Sequence, residues 1–243
     1  VGNMWDPRKA SADHQAVCEE HERVSELLDS MLPKEVLAEM KSGNLSLAYS
    51  YEDMTLLFAD IVGFTQYCAT HCGEEAVNLV TRLFAEFDQE AVKLGIYKVC
   101  TIGDAYVVVN EPRTQLLDKY IDCKSVFSMA MYMLQTIAEV RAEVNHEGLD
   151  MRIGLHVGRF VGGVIGTKRL RFDVWGEDVL IGNNVESHGI AGNVCVSQTA
   201  RDVLEEGQMV DVDFTFNKDI SLKTGRIVST YVCHPNDGGS FGG

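Results

Sequence analysis

The stretch that decides the fold is LLFADIVGFT, residues 56–65. Its first residues predict a short apolar strand that carries one carboxylate, Asp60, and Gly63 then turns the chain into a helix. An aspartate within such an apolar run is costly to bury unless it is paired or bound to a cation. The stretch therefore predicts a strand whose acid needs a positively charged partner.

A second stretch, KVCTIGDAYVVV at residues 98–109, repeats this pattern. The pair Gly103-Asp104 separates two β-rich runs, which predicts a β-hairpin. If the hairpin lies beside the first strand in one sheet, Asp60 and Asp104 project from neighbouring strand ends. Two close carboxylates repel each other, and a divalent cation is the usual remedy.

The remaining periodicity predicts an alternation of strands and helices. Strands are expected at 47–61, at 96–110 as the hairpin, and at 151–157, 160–165, 171–175, 193–197, 210–216 and 227–233. Helices are expected at 73–94, 120–146, 179–190 and from 198 to about 206, with a further one from Glu19 that Pro33 interrupts. Residues 151–165 are expected to turn at Gly158-Arg159 as a second hairpin. This order predicts an α+β fold with helices on one side of the sheet.

The composition limits what the chain can bind. Its 243 residues are enough for one large domain, and a net charge of -15 makes a nucleic-acid partner unexpected. The seven cysteines lack the spacing of a disulfide frame or a zinc site, which favours free thiols in a reducing cytosol. No run reaches the ~18 apolar residues of a membrane span and no signal-peptide pattern opens the chain, so no membrane contact by this domain is expected.

Four phrases, in order along the chain, carry a resemblance to a known family. They are FADIVGFT at 58–65, TIGDAY at 101–106, GLHVGR at 154–159 and FDVWG at 172–176. From about residue 31 to about residue 232 the chain resembles the catalytic domain of class III nucleotide cyclases, the adenylate and guanylate cyclases. The resemblance implies a ferredoxin-like βαββαβ core with a C-terminal extension, preceded by a short N-terminal helix. It also implies a linker and signalling helix at 1–45, a catalytic domain at 46–235 and a flexible tail at 236–243.

The resemblance further implies a reaction and its site residues. In this family the ribose 3′-hydroxyl of a nucleoside triphosphate attacks its own α-phosphate with the help of two Mg²⁺ ions, for which Mn²⁺ can substitute. The implied metal ligands are the carboxylates of Asp60 and Asp104 and the backbone carbonyl of Ile61. The implied phosphate contacts are the backbone N–H groups of Gly63, Phe64 and Thr65 and the side chain of Arg159, at the predicted hairpin tip.

Each of these residues also has an ordinary structural explanation. Asp60 could cap the following helix, Asp104 could be only a turn residue, and Arg159 could be solvated surface. Metal binding is favoured for the two acids because both lie in matching phrases. His156, inside an apolar strand, is interpreted as a core histidine rather than a general base, since the metal already activates the nucleophile.

The chain departs from the family at the positions that read the base and stabilise the transition state. Cys100 stands where adenylate cyclases carry Lys and guanylate cyclases Glu, and its companion Asp173 is the type associated with adenine. Leu180 and Asn184 stand where the family has an Asn and an Arg. Leu180 cannot hydrogen-bond ribose and Asn184 carries no charge, and losing such contacts costs on the order of 10²-fold in rate.

These departures predict the metal-donating half of a cyclase. A complementary cyclase domain, arranged head to tail, is expected to complete the site, and the isolated chain is expected to have little or no activity. The sequence at 97–106 resembles that of guanylate cyclases and favours GTP, whereas the sequence at 173–176 resembles that of adenylate cyclases and favours ATP. Such mixing resembles the paired-domain guanylate cyclases of protists. GTP is therefore the preferred substrate, with cyclic GMP and pyrophosphate as the products. The alternatives are an adenylate cyclase, a non-catalytic pseudocyclase used for dimerisation and regulation, and a GGDEF-like or polymerase-palm phosphotransferase. The expected location is a cytoplasmic domain of a larger membrane-anchored protein.

Overall fold

The computed structural model describes Glu20 and residues 31–43, 48–113, 118–166, 169–208 and 211–235. The expected helix from Glu19 to Pro33 falls mostly, and the expected tail at 236–243 wholly, outside these residues. The helices are α1 (Lys34–Lys41), α2 (Phe64–Thr70), α3 (Gly73–Leu94), α4 (Lys119–Glu143), α5 (Glu177–Ser187) and α6 (Gln198–Glu206). The strands are β1 (Tyr49–Val62), β2 (Ile96–Ile102), β3 (Ala105–Asn110), β4 (Asp150–Ile165), β5 (Arg171–Trp175), β6 (Asn193–Ser197), β7 (Val212–Ser221) and β8 (Ile227–Pro235).

The strands form one sheet with β1 near its centre. Their order is β2-β3-β1-β4-β6-β8-β7, and β5 pairs with the second half of β4. Helix α3 connects β1 to β2 and α4 connects β3 to β4, so β4-β1-β3-β2 is the four-stranded core of a ferredoxin-like fold. Strands β5 to β8, with α5 and α6, form the C-terminal extension. The predicted α+β class and ferredoxin-like core are therefore confirmed.

Strand β1 is apolar on both of its faces. Leu57 belongs to a buried cluster with Leu83 of α3 and Phe127 of α4, whereas Leu56 belongs to another with Val36 of α1 and Phe172 of β5. Because neither leucine has exposed surface, both faces of the sheet need a cover. The prediction that the helices lie on one side is therefore wrong: α3, α4 and α6 cover one face, and α1 and α5 cover part of the other.

Strand β4 is longer than the sequence predicts. It continues through Gly158-Arg159 without a turn, so the predicted hairpin at that point is wrong. Gly158, which suggested a turn, and Gly154 instead let helix α5 approach the strand. A Cβ on Gly154 would lie 2.2 Å from the backbone N of Glu186, and one on Gly158 would lie 2.5 Å from Oδ2 of Asp178. The hairpin partner of β4 is β5, so the chain reverses only after Ile165.

The other elements differ from their predictions mainly at their ends. The helix expected at 120–146 ends at Glu143, the helix expected at 179–190 is Glu177–Ser187, and the strand expected at 210–216 continues to Ser221. Among the residues that the structure describes, no helix is both long and apolar enough to cross a membrane.

The two outermost strands of the sheet order are irregular. The register shifts between Lys98 and Cys100 in β2, and between Phe216 and Lys218 in β7. Such a bulge bends a strand and increases its local twist. Neither margin therefore presents a long flat row of backbone groups.

Gly154→Ala tests the close packing of α5 on β4. The added methyl would lie 2.2 Å from a backbone nitrogen, which cannot yield as the end of a flexible side chain can. We expect the free energy of unfolding, measured with urea, to fall by about 3 kcal/mol. In the control Gly73→Ala nothing lies within 4 Å of the added methyl, at the start of α3, so we expect a change of less than about 1 kcal/mol. Equal stability of the two variants would contradict the close approach.

Candidate active site

The two predicted metal-binding acids lie at one end of the sheet. Strand β1 pairs with β3 as far as Ala59, opposite Tyr106, and the turn between β2 and β3 places Asp104 just beyond. Asp60 is the next residue of β1 and lies beside this turn. The pKa of Asp104 is raised, mainly because burial disfavours the charged form and also because the carboxylate of Asp60 is near, although a hydrogen bond with its own backbone partly offsets this.

This pair of acids fits a divalent cation that is completed by other ligands. Mg²⁺ prefers oxygen ligands and often takes only one or two carboxylates, with phosphate oxygens and water filling the rest of its shell. In the described part of the chain, no group of three or more His, Cys, Asp or Glu side chains is placed to hold a metal. A cation held by these two acids would therefore need further ligands. Ile61 follows Asp60 in β1, and its carbonyl stays a predicted ligand.

A guanidinium that the sequence interpretation missed lies beside Asp60. Arg152 is the β4 residue opposite Asp60, and its Nη2 lies 3.2 Å from Oδ2 of Asp60. Its Nε donates to Oε1 of Glu186, a residue of helix α5, at 2.6 Å. Arg152 stands only two residues before the phrase GLHVGR, so an antiparallel register between β1 and β4 would have revealed it.

The Gly63 turn connects this acid pair to helix α2. Gly63 has φ of 83°, and a Cβ there would lie 2.2 Å from the carbonyl oxygen of Gly148, so only glycine fits. Phe64 and Thr65 form the first turn of α2, where backbone N–H groups have no acceptor within the helix. The turn is thus placed next to the acids, and its contact with phosphate stays a prediction.

Arg159 lies on β4, the strand that carries Arg152, but far from the two acids. It is seven residues from Arg152, which corresponds to roughly 23 Å in an extended strand. Its Nε donates to Oε2 of Glu52 at 2.8 Å, and its backbone N–H donates to Oδ2 of Asp178 at 2.7 Å. Within one chain, Arg152 and not Arg159 is therefore the guanidinium beside Asp60, and the predicted placement of Arg159 at a hairpin tip is wrong.

The two predicted base-reading positions do come together. Burial, followed by the nearby negative charge of Asp173, raises the pKa of the Cys100 thiol. Both carboxylate oxygens of Asp173 are already engaged: Oδ2 lies 2.5 Å from Nη2 of Arg171, and Oδ1 accepts the backbone N–H of Val174 at 2.9 Å. The carboxylate of Asp173 therefore already has its polar partners within the chain.

The two degenerate transition-state positions share the outer face of α5. Leu180 is 58% exposed, which is unusual for a leucine on a packed helix. Nδ2 of Asn184 donates to the carbonyl oxygen of Leu180 at 2.7 Å, one helical turn away. Neither side chain carries charge, so this pair of positions offers a phosphate no cationic group.

His156 is a core histidine, as interpreted from the sequence. It is 1% exposed, and its Nδ1 lies 2.8 Å from Oγ of Ser197. Its Nε2 lies 3.4 Å from Oδ1 of Asp178, a polar contact without the alignment of a hydrogen bond. The pKa of Asp178 is lowered to about 2, chiefly through His156 and then through the backbone N–H of Arg159, against the opposing effect of burial. Asp178 thereby anchors the first turn of α5 to β4.

Asp178→Asn tests this anchor. The folded pKa of Asp178 is about 2 and lies below the unfolded value of about 3.9, so the ionised group stabilises the fold above that unfolded value, and its contribution is lost as the pH falls towards 2. We expect the variant to be less stable at neutral pH and to lose less stability between pH of about 4 and 2, measured by thermal unfolding. The same slope in variant and wild type would contradict the anchor.

Comparison with known proteins relates this geometry to a family. Residues 47–235 match the family of adenylate and guanylate cyclase catalytic domains. A guanylate cyclase of Toxoplasma gondii is 44% identical over 217 residues, which are 88% of this chain and 5% of that protein. Guanylate cyclase alpha of Plasmodium falciparum is 48% identical over 185 residues, which are 75% of this chain and 4% of that protein. The chain thus spans about one twentieth of the length of these curated relatives.

Solved structures show the same fold. The adenylyl cyclase CyaB from P. aeruginosa superposes with a TM-score of 0.69 at 22% identity, covering 78% of this chain and 96% of that one. The guanylate cyclase domain of RhGC from Catenaria anguillulae, in complex with GTP, has a TM-score of 0.66 at 24% identity and covers 77% and 98%. The sheet order, the paired acids and the match over residues 47–235 agree, and this chain belongs to the family of adenylate and guanylate cyclase catalytic domains.

Proposed function

We propose that the chain is the metal-binding half of a guanylate cyclase catalytic pair, which converts GTP to cyclic GMP and pyrophosphate. The observation that carries this proposal is the meeting of Asp60, Asp104 and Arg152 at one end of the sheet. A scaffold that serves only dimerisation has no use for two partly buried acids that repel each other. The guanylate cyclase names of the protist relatives support GTP as the substrate.

The acids and the Gly63 turn divide the work of binding the triphosphate. Asp60, Asp104 and the carbonyl of Ile61 would hold two Mg²⁺ ions, which when bound lower the pKa of the 3′-hydroxyl and neutralise the triphosphate. The 3′-hydroxyl loses its proton to solvent, its oxygen forms a bond to the α-phosphorus, the bond from that phosphorus to the bridging oxygen breaks, and pyrophosphate leaves. Backbone N–H groups of the first turn of α2 face the phosphates in this arrangement.

Arg152 supplies the fixed positive charge of this half-site. A guanidinium donates two parallel hydrogen bonds to phosphate oxygens, and it stays charged at any physiological pH. The side chain of Arg152 is 30% exposed, so it is reachable by an anion and yet held in place by Glu186. We propose Arg152 as a further phosphate contact on this chain, and the phosphate contact that the resemblance implies for Arg159 stays a prediction.

Asp60→Asn and Asp104→Asn test the metal site. Each removes one negative oxygen ligand, so we expect each variant to bind Mn²⁺ together with 3′-deoxy-GTP more than about tenfold more weakly, measured by isothermal titration calorimetry. This analogue lacks the attacking hydroxyl and cannot be cyclised. Asp213→Asn, an exposed position on β7, is the control and should bind like wild type. Unchanged binding by both site variants would contradict the proposal.

A second cyclase domain is needed to complete the site. Leu180 and Asn184 lie on an exposed helix face and cannot stabilise the developing charge on phosphorus. The carboxylate of Asp173 already has partners within the chain, and the thiol of Cys100 is neutral. These two positions therefore provide no specific recognition of the purine base. A complementary domain in a head-to-tail dimer would contribute the missing groups and decide between GTP and ATP.

The double variant Leu180→Asn/Asn184→Arg tests the need for a partner. We expect the isolated wild-type chain to show little turnover of GTP with Mn²⁺, because both positions lack their polar groups. Restoring them should raise cyclic GMP formation by on the order of 10²-fold, measured by chromatography with ATP and GTP in competition. Leu180→Asn alone is the control and should give only part of this gain. Robust turnover by the isolated wild type would contradict the partner requirement, and cyclic AMP as the main product would favour an adenylate cyclase.

The small share of the curated relatives that this chain spans suggests one domain of a larger protein. We place residues 46–235 as its catalytic domain, residues 1–45 as the linker from upstream segments and residues 236–243 as a tail. The domain would work at the cytoplasmic side of a membrane-anchored protein. Its charge of -15 disfavours a nucleic-acid partner.

A further inference from the structure

Glu186 is a buried acid on the inner face of α5 to which the ring-closing chemistry assigns no task. The residue is 6% exposed and shares its helix face with Ile181 and Val185. An acid among aliphatic side chains is costly to bury unless its oxygens are fully engaged. Its retention so close to the metal-binding acids therefore calls for a specific partner.

The contacts of Glu186 hold it in one position. Oε1 accepts from Nε of Arg152 at 2.6 Å, and Oε2 lies 3.0 Å from Oγ of Ser187, whose single proton can also go to the carbonyl oxygen of Asn183 at 2.9 Å. The helix backbone at this point is pressed against Gly154 of β4, where a Cβ would lie 2.5 Å from Cα of Glu186. Glu186 is thus an acceptor on a helix that packs directly against the strand.

Arg152 is shared between Glu186 and Asp60. Its Nε contact to Glu186 is 2.6 Å, and its Nη2 contact to Asp60 is 3.2 Å. The guanidinium therefore favours Glu186 while neutralising Asp60 in the absence of another cation. A divalent cation that takes Asp60 also repels the guanidinium, which then needs its second acceptor.

We propose that Glu186 is a positioning residue that retains Arg152 when Asp60 takes up a divalent cation. This inference rests on the proposed function, because it requires a metal at Asp60. Without the Glu186 carboxylate, Arg152 is left with Asp60 alone and competes there with the metal. With it, the guanidinium gives up Asp60 and stays at the edge of the site, where the triphosphate arrives.

A purely structural role for Glu186 makes a different prediction. If the Arg152–Glu186 pair only fastened α5 to β4, removing the carboxylate would lower stability, and its effect on metal affinity would not depend on Arg152. The two roles are therefore separated by a double-mutant cycle that measures metal affinity.

The experiment measures binding of Mn²⁺ alone to the full chain by electron paramagnetic resonance of the free ion. The proteins are wild type, Glu186→Gln, Arg152→Gln and the double variant. We expect Glu186→Gln to weaken Mn²⁺ binding about tenfold in the wild-type background, because Arg152 then competes with the ion for Asp60; tenfold is the lower end of the effect of losing an outer-shell partner. In the Arg152→Gln background the same change should cost less than about threefold, since only the direct charge attraction to the ion is lost.

Glu177→Gln is the matched control. It lies on the same helix and removes the same charge, but its carboxylate pairs with Arg226 and Thr224 at the far end of α5. We expect it to bind Mn²⁺ like wild type. Thermal unfolding of every variant verifies the fold; if Glu186→Gln does not fold, Glu186→Asp replaces it in the cycle, with the same sign and a smaller effect.

The outcomes separate this inference from the function on which it rests. Equal losses from Glu186→Gln in both backgrounds would overturn the positioning role and leave the proposed function intact. A wild type that binds Mn²⁺ no better than Asp60→Asn would overturn the metal site itself, and the positioning role with it. A loss of Mn²⁺ affinity from Glu186→Gln that depends on Arg152 supports both the positioning role and the metal site.

Discussion

The repulsion between the carboxylates of Asp60 and Asp104 is the constraint on which this structure depends. Both acids come from strand ends, and the partial burial of Asp104 strengthens the effect because less water is left to screen the charge. A chain with a net charge of -15 has few cations to spare, and it places one of them, Arg152, directly opposite Asp60. This arginine and the helix that carries its second acceptor thus bring a positive charge, and an anion that holds it, next to two like charges.

The architecture supplies this arrangement through β1. Because β1 is apolar on both faces, the long helices can pack on one side while α1 and α5 cover the other. Its neighbours are then β3, whose hairpin turn delivers Asp104, and β4, which delivers Arg152. The Gly63 turn at the end of β1 is locked against the carbonyl of Gly148. Thus the acids, the guanidinium and the turn are all placed by contacts with one strand.

Local sequence patterns predicted much of this structure, whereas contacts between residues distant in sequence were not predicted. The helix at Gly73–Leu94 and the strand at Asn193–Ser197 were predicted to the residue, because an amphipathic stripe and a short apolar run are contained in the sequence itself. The pairing of Asp60 with Asp104 was predictable because both acids interrupt apolar runs. Glycine was the misleading signal: Gly158 indicated a turn, whereas it makes room for the carboxylate of Asp178.

The role of Arg152 could not be predicted without knowledge of the register between β1 and β4. An arginine within a strand is unremarkable on its own, and only the pairing of β1 with β4 places it beside Asp60. The same holds for Glu186, whose neighbours come from a strand more than thirty residues earlier. Composition and periodicity report what lies near in sequence, whereas a charge network joins residues that the fold brings together.

The bulged margins of the sheet have a consequence for how such domains associate. A long flat strand at the edge accepts almost any extended segment, because backbone hydrogen bonding is indifferent to side-chain identity. Here β2 and β7 are both distorted, so this route is disfavoured at either end of the sheet order. Association between such domains is then left to faces of the sheet and helices, where the fit of particular side chains decides which surfaces bind. A cell that holds several similar domains can thereby keep the right pairs together.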